Sequence, residues 1–430
     1  MKNDKQRAIE DESLPISVRS VVRMYPSNQV NRLYYGGLPH IGNALWGAWS
    51  SDEIQKAAEA YENYSHKANL LIEGFPKPDA TYKVRLGGGS PARFEPFKEC
   101  LSDIQSIIGN RILSDYPFAA GDAESKISVI DYYRLHCSRE INENNIIFTH
   151  SSTQAFTLVM GAILDYGDVV LMTAPNYGLF TFIPERVGGR VKLLELSAAD
   201  DWKINPEKLK KLIDKTNDEL KIDYDRNRGK YIFRRSDVAP KVSAFVHYNP
   251  HNPTGVVYSE KDRPLLIEIA NICKYTGVFI VDDLAYVGLE YDREYPALPI
   301  GDIDGHFDNI ITFYTLSKSY GLAGLRSGMV VANEIVSSLI RDQIFQSSDS
   351  LSILQSAAMG TVFKTDKESQ ESREKYFSYT TREYYERYVF VKAIVLVSFL
   401  NVLLHKHCTS KTELQVASHG IMWIQLLDYQ

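Results

Sequence analysis

The chain reads as an α/β protein. Its large domain is a three-layer α/β/α arrangement around a seven-stranded, mostly parallel sheet, and a smaller α+β domain accompanies it. Three observations lead there. From about residue 145 to 332, short β-rich runs alternate with helical patterns, and helices between strands imply parallel pairing. Runs such as Val169-Val-Leu-Met172 and Phe279-Ile-Val281 are continuously apolar, as strands buried on both faces should be. A chain of 430 residues also has room for a second, smaller unit.

The elements follow in order. A strand at 145–150 runs into Ser151-Ser-Thr153, which opens a helical run to Leu164. A strand at 168–173 ends before Ala174-Pro-Asn-Tyr177, and a third covers 190–196. Residues 214–237 are densely charged and read as a surface insertion, a solvated loop rather than a lid. Strands at 242–248 and 278–283 end on Tyr248-Asn-Pro-His-Asn-Pro-Thr-Gly255 and on Asp282-Asp-Leu-Ala-Tyr286. The last two, 309–315 and 327–332, flank a lysine-bearing, Gly-rich turn. The apolar run 388–404 is interrupted by Lys392 and Asn401. It is too short for a membrane span and reads as a buried helix passing into a strand.

Composition excludes several classes. Charged residues make up 24% and the net charge is −6, so no basic face argues for nucleic acid. Cys100, Cys137, Cys273 and Cys408 lack metal-ligand spacing. They read as free thiols of a reducing, cytoplasmic compartment, with no metal site. The polar N-terminus lacks the apolar core of a signal peptide.

The most informative stretch is Tyr314-Thr-Leu-Ser-Lys-Ser-Tyr-Gly-Leu-Ala-Gly-Leu-Arg-Ser-Gly328. A lysine that forms a Schiff base needs a partly desolvated site where positive neighbours lower its pKa. Lys318 sits among hydroxyls, and Thr315, Ser317 and Arg326 offer donors and a guanidinium fork that suit a phosphate. An amine beside a phosphate site suggests pyridoxal 5'-phosphate (PLP). Taken alone, the motif reads equally as a solvated loop lysine.

The companions Asn252-Pro-Thr-Gly255 and Asp283-Leu-Ala-Tyr286 precede it in order. From about Arg85 to Ala332 the chain thereby resembles the fold-type I, PLP-dependent aminotransferases of class I and II. The resemblance implies the PLP-dependent transferase fold and amino-group transfer from an amino acid to a 2-oxo acid through a Lys318 Schiff base. It implies that Asp283 pairs with the pyridine nitrogen and keeps the ring an electron sink; Asp282 is the alternative one position earlier. Asn252 and Tyr286 are implied to bond the ring's phenolic oxygen, and Tyr177 to stack on the ring. Ser151, Ser152 and Thr153 would hold the phosphate at a helix N-terminus, where an ordinary cap is the other reading. Relatives usually carry a glycine near Ser151. Tyr116 resembles the tyrosine that reaches the partner's phosphate in a homodimer, and Leu86-Gly-Gly-Gly-Ser-Pro91 resembles a loop at the substrate entrance.

The implied domains are 1–90, an N-terminal arm with part of the small domain; 91–335, the large PLP-binding domain; and 336–430, an incomplete small domain. Gly420–Asp428 resembles the strand that precedes the family's carboxylate-clamping arginine. Arg373, Arg382 and Arg387 match no clamp, so the chain is expected to be truncated and a poor transaminase. Other PLP chemistries on the same scaffold (lyase, decarboxylase, oxidase) and an impaired PLP-binding protein stay open as alternatives.

Overall fold

A computed structural model describes residues 94–404, except 110, 138 and 304. The expected N-terminal arm, the loop at 86–91, the strand at 420–428 and the expected early chain end lie outside the described residues. Backbone contacts gather the described residues, apart from 185–188, into one compact unit, which carries the sheet and the site below.

Seven strands form one sheet: β1 (Ile146–Thr149), β2 (Val169–Ala174), β3 (Arg190–Glu195), β4 (Val242–Tyr248), β5 (Phe279–Asp283), β6 (Ile310–Thr315) and β7 (Gly328–Val331). The spatial order is β1-β7-β6-β5-β4-β2-β3. Only β7 runs against its neighbours, β1 and β6; the other pairs are parallel. All seven expected strands are present, each within one residue of its expected limits. β4 is buried at all seven of its positions, because helices cover both faces of the sheet and leave no polar side.

Besides one turn of helix at Ile183–Arg186, the helices are α1 (Lys98–Ile107), α2 (Ala123–His136), α3 (Ser152–Ile163), α4 (Pro206–Arg226), α5 (Arg263–Thr276), α6 (Leu316–Ser319), α7 (Glu334–Ser348), α8 (Ile353–Val362) and α9 (Lys367–Leu404). On one face, Leu209, Ile213 and Leu220 of α4 and Leu266 and Ile269 of α5 share a core with Leu171, Phe245 and Ile280. On the other face, Phe156 of α3 stacks on Phe180 at 4.1 Å and meets the Phe313 ring edge-on at 6.3 Å. Alternation along a strand therefore decides a key point. His247 and Asp282 face α4 and α5, while Tyr248 and Asp283 face α3.

Two expectations are corrected. Residues 214–226 are not loop but the second half of α4, begun by the Asn205 side-chain cap on the Lys208 amide and by Pro206 in the first turn. Its stripe Leu209, Ile213, Thr216, Leu220 is buried, while charged neighbours such as Lys210 and Asp214 pair outside at 2.6 Å. Beyond it, Arg234 is buried against Asp168 at 2.7 Å. The charges dominate the composition and hide the helical stripe. The run 388–404 does not pass into a strand either: α9 continues through it to Leu404. Among the described residues no helix is long and apolar enough to cross a membrane.

Candidate active site

Parallel strands leave a crevice outside their C-terminal ends, and one cavity of about 130 Å³ lies there. Its lining draws on the turn after β1 (Ser151, Ser152, Thr153), the loop after β2 (Tyr177), the β4 end and turn (Tyr248, Pro250, Asn252), β5 and its loop (Asp283, Ala285, Tyr286), and β6 with α6 (Thr315, Ser317, Lys318). Ala323 and Arg326 complete it.

One end is built for an anion. α3 starts at Ser152 with no side-chain cap, so its first amides lie at a cavity wall also lined by Ser151, Ser152 and Thr153 hydroxyls. Ser151 has φ 97° and ψ 163°, a region that only glycine adopts readily. The departure from the family's usual glycine has thus not moved the backbone out of a glycine-like conformation. Opposite, the Thr315 hydroxyl donates to the Ser327 carbonyl at 3.1 Å and accepts from the Ser317 hydroxyl at 3.0 Å. Arg326 adds its guanidinium from a left-handed residue, with φ 60°. Gly328 is required behind this end, since a Cβ there would come within 2.6 Å of the Ser151 carbonyl carbon.

The other end is a buried carboxyl. Asp283 is 6% exposed, and burial pushes its pKa up to about 7, with Asp282 adding to the rise and the Ala285 amide opposing it. Asp282 is fully buried on the far face, where His247 Nδ1 lies 2.8 Å from its Oδ1. The neighbouring carboxyls therefore have different surroundings, and only Asp283 opens on the cavity. Burial, then the Arg326 charge, lower the pKa of the half-buried Lys318. Burial and Asp283 raise Tyr286 to about 12, keeping it a neutral hydroxyl donor.

Eleven of the twelve site residues expected from sequence line this cavity: Ser151, Ser152, Thr153, Tyr177, Asn252, Asp283, Tyr286, Thr315, Ser317, Lys318 and Arg326. The twelfth, Tyr116, does not. It is 88% exposed and borders a separate cleft of about 500 Å³ with Lys126 and Arg341. Sequence reasoning missed Tyr248. Its place as the last residue of β4, in register with Asp283, was the available signal. His251 is held by Thr173 and Thr254 hydroxyls at 2.9 Å each, and burial pushes its pKa down to about 3. It is a neutral structural histidine. Among the described residues no acidic, His or Cys cluster could hold a metal ion.

The residue set fits PLP: hydroxyl residues at a helix N-terminus with Arg326 for an anion, a lysine of lowered pKa and a buried carboxyl all line one cavity.

Comparison with known proteins agrees. The profile of the family described as aminotransferase class I and II matches residues 83–384. The Haemophilus influenzae glutamate-pyruvate aminotransferase AlaA is 26% identical over 295 residues, 66% of this chain and 62% of its own length. A Thermoanaerobacter pseudethanolicus histidinol-phosphate aminotransferase is 26% identical over 241 residues, 56% of each chain. The chain thus spans less than two thirds of these relatives. The solved Thermus thermophilus aspartate aminotransferase with maleate has a TM-score of 0.61 at 19% identity, covering 78% of this chain and 76% of that one; this likeness shows the fold.

Proposed function

The chain belongs to the class I and II aminotransferase family, and from that premise we propose that it moves an amino group from an amino acid to a 2-oxo acid with PLP attached at Lys318. The observation that carries the reading is one cavity lined together by a lysine of lowered pKa, a cluster of hydroxyl residues with Arg326, and a buried carboxyl. PLP, when bound, supplies the electron sink that stabilises negative charge on the substrate α-carbon.

The residues divide the work. The α3 N-terminus, Ser151–Thr153, Thr315, Ser317 and Arg326 would hold the phosphate. Asp283 would offer its carboxylate to the ring nitrogen, and its burial would strengthen that pairing because no water competes. Asn252 and Tyr286 would bond the ring oxygen, and Tyr177 would stack on the ring. Lys318 Nζ, its pKa lowered by burial and by the Arg326 charge, takes the proton from the substrate α-carbon and redelivers it. Tyr116 and Phe118, 88% and 78% exposed, support a homodimer in which Tyr116 serves the partner's site. Free thiols at Cys100, Cys137 and Cys273 support a cytoplasmic location.

The test is transfer of label. Purified protein with PLP, a nitrogen-15 amino acid and an unlabelled 2-oxo acid should yield a new labelled amino acid by mass spectrometry. Release of ammonia or carbon dioxide without label transfer would point to a lyase or decarboxylase instead.

A further inference from the structure

We propose that Tyr248 is a positioning residue whose hydroxyl donates to the Asp283 carboxylate once that carboxyl ionises. This rests on reading Asp283 as the partner of the cofactor's ring nitrogen.

The geometry is that of one rung of the sheet. Tyr248 and Asp283 are Cα partners across β4 and β5, so their side chains leave the same face, and both line the cavity. Tyr248 is 2% exposed, and its hydroxyl is buried without a hydrogen-bond partner. Folded proteins rarely leave such a group unpaired. Asp283 Oδ1 accepts from the Ala285 amide at 3.2 Å, and no hydrogen bond reaches Oδ2 among the described residues. A donor and an acceptor thus leave the same face of neighbouring strands with no bond between them. Asp283 and Tyr177 are the groups whose charge acts on the Tyr248 phenol.

The preceding rung shows the completed version. His247 and Asp282 are also Cα partners, and their side chains meet at 2.8 Å on the opposite face. Each β5 carboxyl therefore has a proton-bearing neighbour on β4. Because the Tyr248 oxygen is buried rather than open to the cavity, it acts on the cofactor through Asp283. The other titratable groups around Asp283 are Asp282 on β5, Tyr177 after β2, Tyr286 on the following loop with Tyr384 of α9 beyond it, and Lys318 with Arg326 across the cavity.

The experiment uses the full chain without PLP first. Urea denaturation of wild type and Tyr248→Phe is compared from about pH 5 to about pH 9. At the acid end, where Asp283 is protonated, the two should differ by a constant offset, the cost of an unpaired buried hydroxyl that phenylalanine lacks. Above about pH 7 the phenylalanine variant should lose roughly tenfold in its folding equilibrium constant, the usual effect of a hydrogen bond to a charged group. In an Asp283→Asn background the same substitution should have no pH-dependent effect. PLP titration is the second arm: Tyr248→Phe should weaken PLP binding roughly tenfold. Parallel pH profiles, or a pH-dependent effect that persists without the Asp283 carboxyl, overturn the proposal. A wild type that takes up no PLP while the profiles diverge as expected refutes the cofactor reading and leaves the Tyr248–Asp283 bond standing.

Discussion

Gly328 and Ser151 lie back to back where β7 meets the turn after β1. A Cβ on Gly328 would stand 2.6 Å from the Ser151 carbonyl carbon and 2.8 Å from its Cα. Both are backbone atoms and cannot rotate away. Gly328→Ala should therefore displace the turn that lines the anion end of the cavity. A loss of roughly 1–3 kcal/mol is expected for overpacking, together with weaker PLP binding. Urea denaturation and a PLP titration measure the two effects, and an alanine variant with unchanged stability would show that this contact is slack.

Ser151 itself carries backbone strain. At φ 97° and ψ 163° a side chain costs about 1–3 kcal/mol, while glycine gives back about 0.5–1 kcal/mol in unfolded-state entropy. Ser151→Gly should stabilise the fold by roughly 1 kcal/mol. A destabilised variant would mean that the Ser151 side chain contributes more than the strain it incurs.

Asp283 and Asp282 should respond oppositely to amide substitution. The folded pKa of Asp283 is raised by burial, from 3.8 to about 7. Its contribution to stability is thus fully present below the unfolded value and is lost as pH rises through that window. Asp283→Asn should flatten this decline and stabilise the protein without PLP at neutral pH, yet reduce amino transfer far more than Asp282→Asn. Asp282→Asn instead removes a carboxylate partner of buried His247 and should cost stability, roughly 1–3 kcal/mol. If Asp282→Asn were the worse change for catalysis, the assignment along β5 would be off by one residue.

Lys318 should carry the cofactor. Borohydride reduction of the PLP-loaded protein, then peptide mapping, should place the adduct on Lys318 and no other lysine. Lys318→Ala should lower amino transfer by roughly 10²–10⁴-fold and still bind PLP through Arg326 and Ser151–Thr153. An adduct elsewhere would sink the central assignment.

Arg234 tests the corrected region. Its guanidinium donates to Asp168 Oδ1 at 2.7 Å and to the Tyr166 carbonyl at 3.0 Å. Asp168 also accepts from Ser243 at 2.8 Å. Arg234→Ala leaves that carboxylate buried without its cation and should cost about 3–5 kcal/mol. A cost near zero would return the segment to the status of a solvated loop.

Legibility differed by region for physical reasons. The strands were readable because burial on both faces demands unbroken apolar runs, as in Val242–Tyr248. The cavity residues were readable because ordered short motifs fall at strand ends. Residues 214–226 were misread because α4 has only Leu209, Ile213, Thr216 and Leu220 buried among many charges, and a narrow stripe is easily lost in composition. Tyr248 was missed because nothing local marks it: its significance is a cross-strand partner 35 positions away, and only the register supplies that.

The sheet order also has a consequence for how the chain reaches its folded state. Among the described residues β1 pairs only with β7, in the register Ile146↔Val331. During synthesis the first strand and the serine-rich turn after it must therefore wait until residue 331 has been made. Contacts between such distant segments close a long loop before any reward, which slows folding. In the interval, the edge of β1 is open to wrong partners and aggregation. The turn at Ser151 therefore gains its packing partner Gly328 only when β7 is inserted.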